Sequence, residues 1–409
     1  MGEALREWRV NWGIGITSLV GAIISVGHIF SLGILMPMIE RDTGWSRSAV
    51  SASLLVVAIV VAVFSPIVGR LVDKGRSRVC VLAGATLYSI ALIMLGLVPL
   101  PYLVWMGVWV LVATGASAFT ITVWTAQITR RFVASRGLSL AIVMCGAGVA
   151  GFIYPVAASA LLSIMSWRHV YVVLGMFAAV ATLPAFFLWV HEDATSSPAP
   201  LGQMVTASSG SVFKTLAFAK LAFIALVLTS ALVGLQVHFA PALMSMGSNS
   251  AASAQVASLL GIGAIVSRLV IGLIIDRKDY RPVGAAVFLA PALGVFLLAY
   301  TAGVSSIVNI FVALLIGAGL GGQAMLVAFV TGRIFGVARF GSVWGVLISL
   351  MSIASGIGPV VAGEVFDRWH EYSFYLYGAG LIFVVSALMI LSLRPEALTG
   401  RVASDLKSA

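Results

Sequence analysis

The sequence predicts an all-α membrane protein, with twelve transmembrane helices in two pseudo-symmetric six-helix bundles, on three observations. Of its 409 residues, 61% are hydrophobic and 9% charged, against roughly 25% charged residues in soluble domains. Apolar stretches of about 20 residues, the length that crosses a bilayer, recur along nearly the whole chain between short polar or Gly/Pro-marked joints. A short motif of the first half also returns in the second at a fixed offset.

The expected spans run 12–37, 49–69, 79–99, 102–127, 138–164 and 169–190, then 221–244, 253–275, 283–302, 306–330, 342–364 and 373–393. Met1 to Val10 carries Glu3, Arg6, Glu7 and Arg9, and no clear small-residue cleavage site precedes Pro37. The first stretch is therefore read as a retained span rather than a removed signal peptide. Six spans fall on each side of His191–Lys220, whose Ser/Pro-rich composition reads as a linker. The expected units are residues 1–190, a cytoplasmic linker 191–220, and residues 221–409. Cys80 and Cys145 both lie in apolar spans and read as packing residues.

The net charge of +10 is explained by where the basic residues sit. With the N-terminus in the cytoplasm, 19 of the 24 Lys+Arg fall in cytoplasmic segments, 4 (Arg41, Arg47, Arg168, Arg368) in outer ones, and 1, Arg268, inside a helix. That is the positive-inside asymmetry of a multi-pass protein with both termini cytoplasmic. The basic residues are not pooled on one face, so the lipid bilayer is the expected partner and no nucleic acid is implied.

The repeat divides the chain in two. Gly69-Arg70-Leu71-Val72-Asp73-Lys74, followed by Arg78, is matched by Gly272-Leu273-Ile274-Ile275-Asp276-Arg277, followed by Arg281, an offset of 203. A shift of 204 aligns Gly137 with Gly341 and Pro155 with Pro359. Two related halves with a site between them is the construction of alternating-access transporters. Gly69, Asp73, Arg78, Asp276 and Arg281 are expected to form a conformational latch: glycine permits close helix approach, and aspartate bonds a helix N-terminus or a neighbouring arginine.

Arg268 stands eight positions before Asp276, on the order of 12 Å inside the helix end at 1.5 Å per residue. A permanently charged guanidinium at that depth costs roughly 2.5 to 3.5 kcal/mol. All fourteen Asp+Glu fall in loops or at helix ends, and Ala264 and Gly272 occupy the adjacent turns. A substrate carboxylate gripped by the guanidinium fits this setting; backbone carbonyls and water would also satisfy it.

Other polar groups lie within spans. His28 and His238 are candidates for substrate binding and proton coupling, because imidazole titrates near neutrality, although either could simply bond a neighbouring helix. Gln323 is placed to donate to a substrate oxygen or to join two helices. Phe119, Trp124, Tyr154 and Trp344 are candidates to line a cavity or to pack. No metal-ligand spacing, Ser/His/Asp set or acidic pair appears inside the spans, so no enzyme, cofactor or metal is implied.

The loop GRLVDKGRSR (Gly69 to Arg78) resembles the signature loop of the major facilitator superfamily. GWSRS (Gly44 to Ser48), FVASRGLSLAIVMCGAG (Phe132 to Gly148), VHFAPALMSMG (Val237 to Gly247) and RIFGVARFGSVWG (Arg333 to Gly345) are similar to its bacterial monocarboxylate and oxalate:formate transporter branch. The resemblance implies the major facilitator fold in a bacterial inner membrane, and a substrate-binding arginine at position 268. Animal members typically carry an aspartate where this chain has Ala264, and oxalate:formate exchangers a lysine in the eleventh span, whereas Ser342 to Gly363 contains none. One cation implies one carboxylate. The expected function is transport of a small monocarboxylate, lactate-like or aromatic, by a monomer working by alternating access with proton symport. Exchange against a counter-anion and efflux of amphipathic drugs or metabolites remain open.

Overall fold

The computed structural model describes residues 2–97, 101–189, 209–275, 277–301 and 306–393, and these are almost wholly helical. In chain order the α-helices are α1 (Gly2–Ser25), α2 (Gly27–Thr43), α3 (Arg47–Asp73), α4 (Ser77–Leu97), α5 (Tyr102–Ala118), α6 (Ile121–Arg131), α7 (Arg136–Met144), α8 (Gly146–Leu162) and α9 (Trp167–Trp189). The second half holds α10 (Leu216–Phe223), α11 (Thr229–Ser245), α12 (Ser250–Ile274), α13 (Tyr280–Thr301), α14 (Ser306–Phe335), α15 (Val337–Trp369) and α16 (Ser373–Leu391). Among the described residues, eleven helical stretches are long and apolar enough to cross a membrane, and the shorter apolar run Trp167–Leu183 in α9 makes a twelfth apolar helix.

There are more helices than spans because some spans are broken. The first is interrupted at Val26, the fourth at Phe119–Thr120 and the fifth at Cys145, while the seventh carries a π-helical turn, Ile224–Leu228, between α10 and α11. At the Val26 break, the Tyr154 ring occupies the space a Cβ at Gly27 would need. The N–H of His28, beyond the break, donates to the Tyr88 hydroxyl at 3.2 Å. The seventh span begins earlier than its hydropathy predicts. Thr215 caps α10 by accepting the Phe218 N–H at 3.2 Å, so the helix starts at Leu216 and the last residues of the expected linker are helical. Residues 190–208, most of that linker, lie outside the described residues.

Apolar side chains cover the outside: Leu103, Ile307, Leu273 and Tyr300 are all more than 70% exposed. Such a surface suits lipid, not water. In the first half α4 packs between α5 and α9, and α1 lies against α6 and α9; in the second, α14 lies against α12 and α13, and α13 against α16. The halves meet through α3 with α15, α8 with α12, and α2 with α11. One end of the molecule carries the 73–77 and 275–279 turns with Lys74, Arg76, Arg277 and Lys278; it is termed the basic end. The other, with the turns at 44–46 and 370–372, is the opposite end.

Candidate functional site

Where α8 crosses α12, Gly148 faces Gly261. A Cβ on Gly261 would strike the Gly148 carbonyl and the Phe152 backbone, so only glycine permits this crossing. Two turns along α12 from Gly261, Arg268 reaches back across the interface. Its Nη1 donates to the Met144 carbonyl at 2.7 Å, immediately before the helix break at Cys145. Beyond that break the Val149 N–H bonds the Cys145 carbonyl at 3.0 Å.

A cavity of about 80 Å³ opens beside the guanidinium, lined by Arg268 and Gln236 as its long polar side chains and by Phe30, Gly148, Leu260 and Leu320 among others. Both halves contribute, through α2 and α8 on one side and α11, α12 and α14 on the other. Among the described residues no carboxylate pairs with Arg268. The arrangement is a half-buried, permanently charged donor with hydrogen-bonding capacity directed at a small, mostly apolar space. It suits a small anion with a short apolar body.

The opposite end holds a second polar assembly, which joins the halves. The Arg47 guanidinium bonds Glu40 of α2 through Nε at 3.0 Å and the Tyr372 hydroxyl through Nη1 at 2.8 Å, and its Cζ lies 3.5 Å from the Phe366 ring centroid. Asp367 accepts the backbone N–H groups of Arg47 and Ser48, each at 2.9 Å. His238 lies inward of Tyr372: Nδ1 is 2.8 Å from the Tyr372 oxygen, and Nε2 is 2.9 Å from the Pro359 carbonyl and 3.0 Å from Ser51 Oγ. Close backbone approaches of Gly33 to Val237, Gly356 to Leu55 and Gly363 to Ser48 close the same region.

The expected site residues are not gathered in one place. His28 is buried within the first half, with Nδ1 3.3 Å from the Tyr88 hydroxyl and its ring against Trp109. Phe119 packs on Tyr88, Trp124 against Gly21 and Tyr154 against Gly27. Trp344 stacks on Phe340. Gln323 donates through Nε2 to Thr229 Oγ1, joining α14 to α11. Of the eight candidates for substrate binding or cavity lining, Arg268 alone lines the 80 Å³ cavity. Gln236, Phe30 and Leu320 were not singled out from the sequence, and the nearest signal was the proximity of Gln236 to the VHFAPALMSMG motif.

In the expected latch, Gly69 has open space around it. Arg281 bonds Asp279 of its own turn, Nε to Oδ2 at 2.9 Å, and this guanidinium holds the Asp279 carboxyl below the usual carboxylate range. The Asp73 side chain and Asp276 lie outside the described residues. At the basic end Glu7 ties α1 to the 132–135 turn, accepting the N–H groups of Val133, Ala134 and Ser135 at 3.0, 2.8 and 3.0 Å.

Comparison with known proteins matches residues 18–346 to the family described as Major Facilitator Superfamily. Human monocarboxylate transporter 11 is 27% identical over 393 residues, covering 90% of this chain and 80% of that protein. An agnestins efflux protein of Paecilomyces divaricatus is 24% identical over 339 residues, covering 81% of this chain and 75% of that protein. Among solved structures, the nucleoside transporter NupG superposes with a TM-score of 0.74 at 15% identity, covering 93% of this chain and 98% of that one. A bacterial homolog of the human lysosomal transporter Spinster, inward-facing and unoccupied, superposes with a TM-score of 0.72 at 16% identity, covering 94% and 96%. At such identities these superpositions show the fold alone.

Proposed function

Because the chain belongs to the major facilitator superfamily and is a multi-pass membrane transporter rather than an enzyme, we propose that it moves a small monocarboxylate, bound through Arg268, by alternating access with proton symport. The observation that carries this reading is the Arg268 guanidinium: half-buried between the two halves, paired with no carboxylate among the described residues, and bordering a small cavity. A carboxylate would replace one neutral carbonyl partner with a charge-assisted, bidentate one. The likeness to a human monocarboxylate transporter supports the same substrate class. The smallness of the cavity, about 80 Å³, favours lactate-like acids over aromatic ones.

In this reading the basic end and both termini face the cytoplasm of a bacterial inner membrane, a direction that the charge asymmetry supports, and residues 1–190 and 221–409 are the moving units of a monomer. In this orientation the protein is closed on its outer side by the Arg47 assembly. Uptake of a labelled monocarboxylate into proteoliposomes tests the proposal. Saturable uptake, driven by a pH gradient and lost in Arg268→Ala, is expected; uptake that persists in Arg268→Ala rejects the site. The likeness to an agnestins efflux protein favours export as a second reading, distinguished by accumulation against the opposite gradient and by broad competition from amphipathic compounds.

A further inference from the structure

Hydrogen-bond directions around His238 follow from what each partner can do. The Pro359 carbonyl only accepts, so Nε2 carries a hydrogen. In a neutral ring Nδ1 then bears the lone pair and accepts from the Tyr372 hydroxyl. The same hydroxyl oxygen accepts from Arg47 Nη1. Burial pushes the Tyr372 phenol above its ordinary range, so it remains a donor. The result is one directed chain from the guanidinium through the hydroxyl to the ring and on to the carbonyl, crossing from α3 to α11 and α15.

A second proton on this ring is incompatible with the chain. It would make Nδ1 a donor, displace the hydroxyl hydrogen, and set an imidazolium one hydroxyl away from the Arg47 guanidinium in a site where His238 is 1% exposed. The facing groups are Arg47 and Ser51 from α3, Pro359 and Asp367 from α15, and Tyr372 from the turn before α16, with Glu40 of α2 behind Arg47. Both carboxylates are engaged elsewhere, Glu40 by Arg47 Nε and Asp367 by the first amides of α3. From α12, Arg268 is turned to Met144, and from α14, Gln323 is turned to Thr229. His28 differs: Tyr88 and Trp109, which it touches, belong to its own half, so protonating it would not distinguish an open from a closed interface.

We propose that His238 is a proton-binding site built into the gate at the opposite end, and that the gate closes only when this site holds the neutral ring. Acid on that side therefore opens the gate. The inference rests on the alternating-access reading above, and it assigns the pH response to the interface between the halves rather than to the Arg268 cavity. An imidazole free to protonate only in the open state raises the open-to-closed ratio about tenfold between pH 8 and pH 5.5.

Spin labels at Ser163→Cys and Glu371→Cys, with Cys80 and Cys145 replaced, report the separation of the halves at this end in the full chain in nanodiscs. The ratio of long-distance to short-distance populations should rise about tenfold on acidification, and stay within twofold in His238→Gln. A native background without a pH response, or an undiminished one in His238→Gln, overturns the proposal. If His238→Gln is not monodisperse, Tyr372→Phe carries the test: a response below threefold supports the proposal and a full tenfold response overturns it. No carboxylate is present, so the outcome is independent of whether Arg268 binds substrate, which the uptake assay reads.

Discussion

Asp367 caps a helix in the other half of the molecule: its two oxygens accept the first amides of α3, those of Arg47 and Ser48, each at 2.9 Å. Within α3 the Ser46 hydroxyl takes the next, Ala49 N–H, at 3.2 Å. A negative charge at a helix N-terminus is favourable, and a cap is worth about 1 kcal/mol. Because the donor helix and the carboxylate sit in different halves, that stabilisation exists only while the opposite end is closed. Asp367→Ala should raise the open-to-closed ratio about fivefold at pH 8, the equivalent of ~1 kcal/mol, as read by the spin-label distances.

Arg268→Lys separates charge from geometry. Lysine keeps the cation but not the planar fork, so a substrate held bidentately should bind about tenfold more weakly, on the order of 1.4 kcal/mol. Counterflow measured over a substrate concentration series reads this as a raised KM.

The crossing of α8 and α12 tolerates no Cβ at Gly261, where the obstructing atoms are backbone. Gly261→Ala should lower stability by about 1 to 3 kcal/mol through overpacking. At Gly137 a Cβ meets nothing within 4 Å, so Gly137→Ala should be neutral. Thermal unfolding followed by size-exclusion chromatography compares the two.

Gln323 and Thr229 form one interhelical contact. Gln323→Leu and Thr229→Val should each destabilise modestly, and the double variant should lose no more than either alone, with a coupling of about 0.6 kcal/mol, usual for hydrogen bonds inside membranes. A thermal-shift double-mutant cycle measures it.

Glu7 holds the 132–135 turn by three backbone hydrogen bonds and one from Ser135 Oγ at 2.8 Å. Glu7→Ala should free that turn and speed tryptic cleavage near Arg136 several-fold in the purified protein, visible by gel and mass spectrometry.

Much of this was legible in the sequence, because the properties concerned are local. Span number follows from runs of apolar residues, the two halves from the 203-residue offset, and the choice of Arg268 as a candidate from one guanidinium at depth without a nearby carboxylate. Helix breaks at Val26 and Cys145 were not legible: they arise without proline, the first where a ring from a distant helix fills the space beside a glycine. Nor was the division of the polar candidates. Gln323 and His238 were each open between a substrate role and a helix contact; the first joins α14 to α11, and the second meets Ser51, Pro359 and Tyr372 at the opposite end.

What the sequence by itself determined is the class of molecule and the residue that must be answered by an anion or a wet cavity, since burial of charge has a cost wherever the chain places it. What only the tertiary structure decided is which groups meet. His238 touches Ser51, 187 positions away, and Arg47 reaches Tyr372 across 325. Hydrogen bonds act over about 3 Å and are blind to separation along the chain. Partners are therefore chosen by which helices the packing of small residues brings into contact, and no hydropathy pattern records that choice.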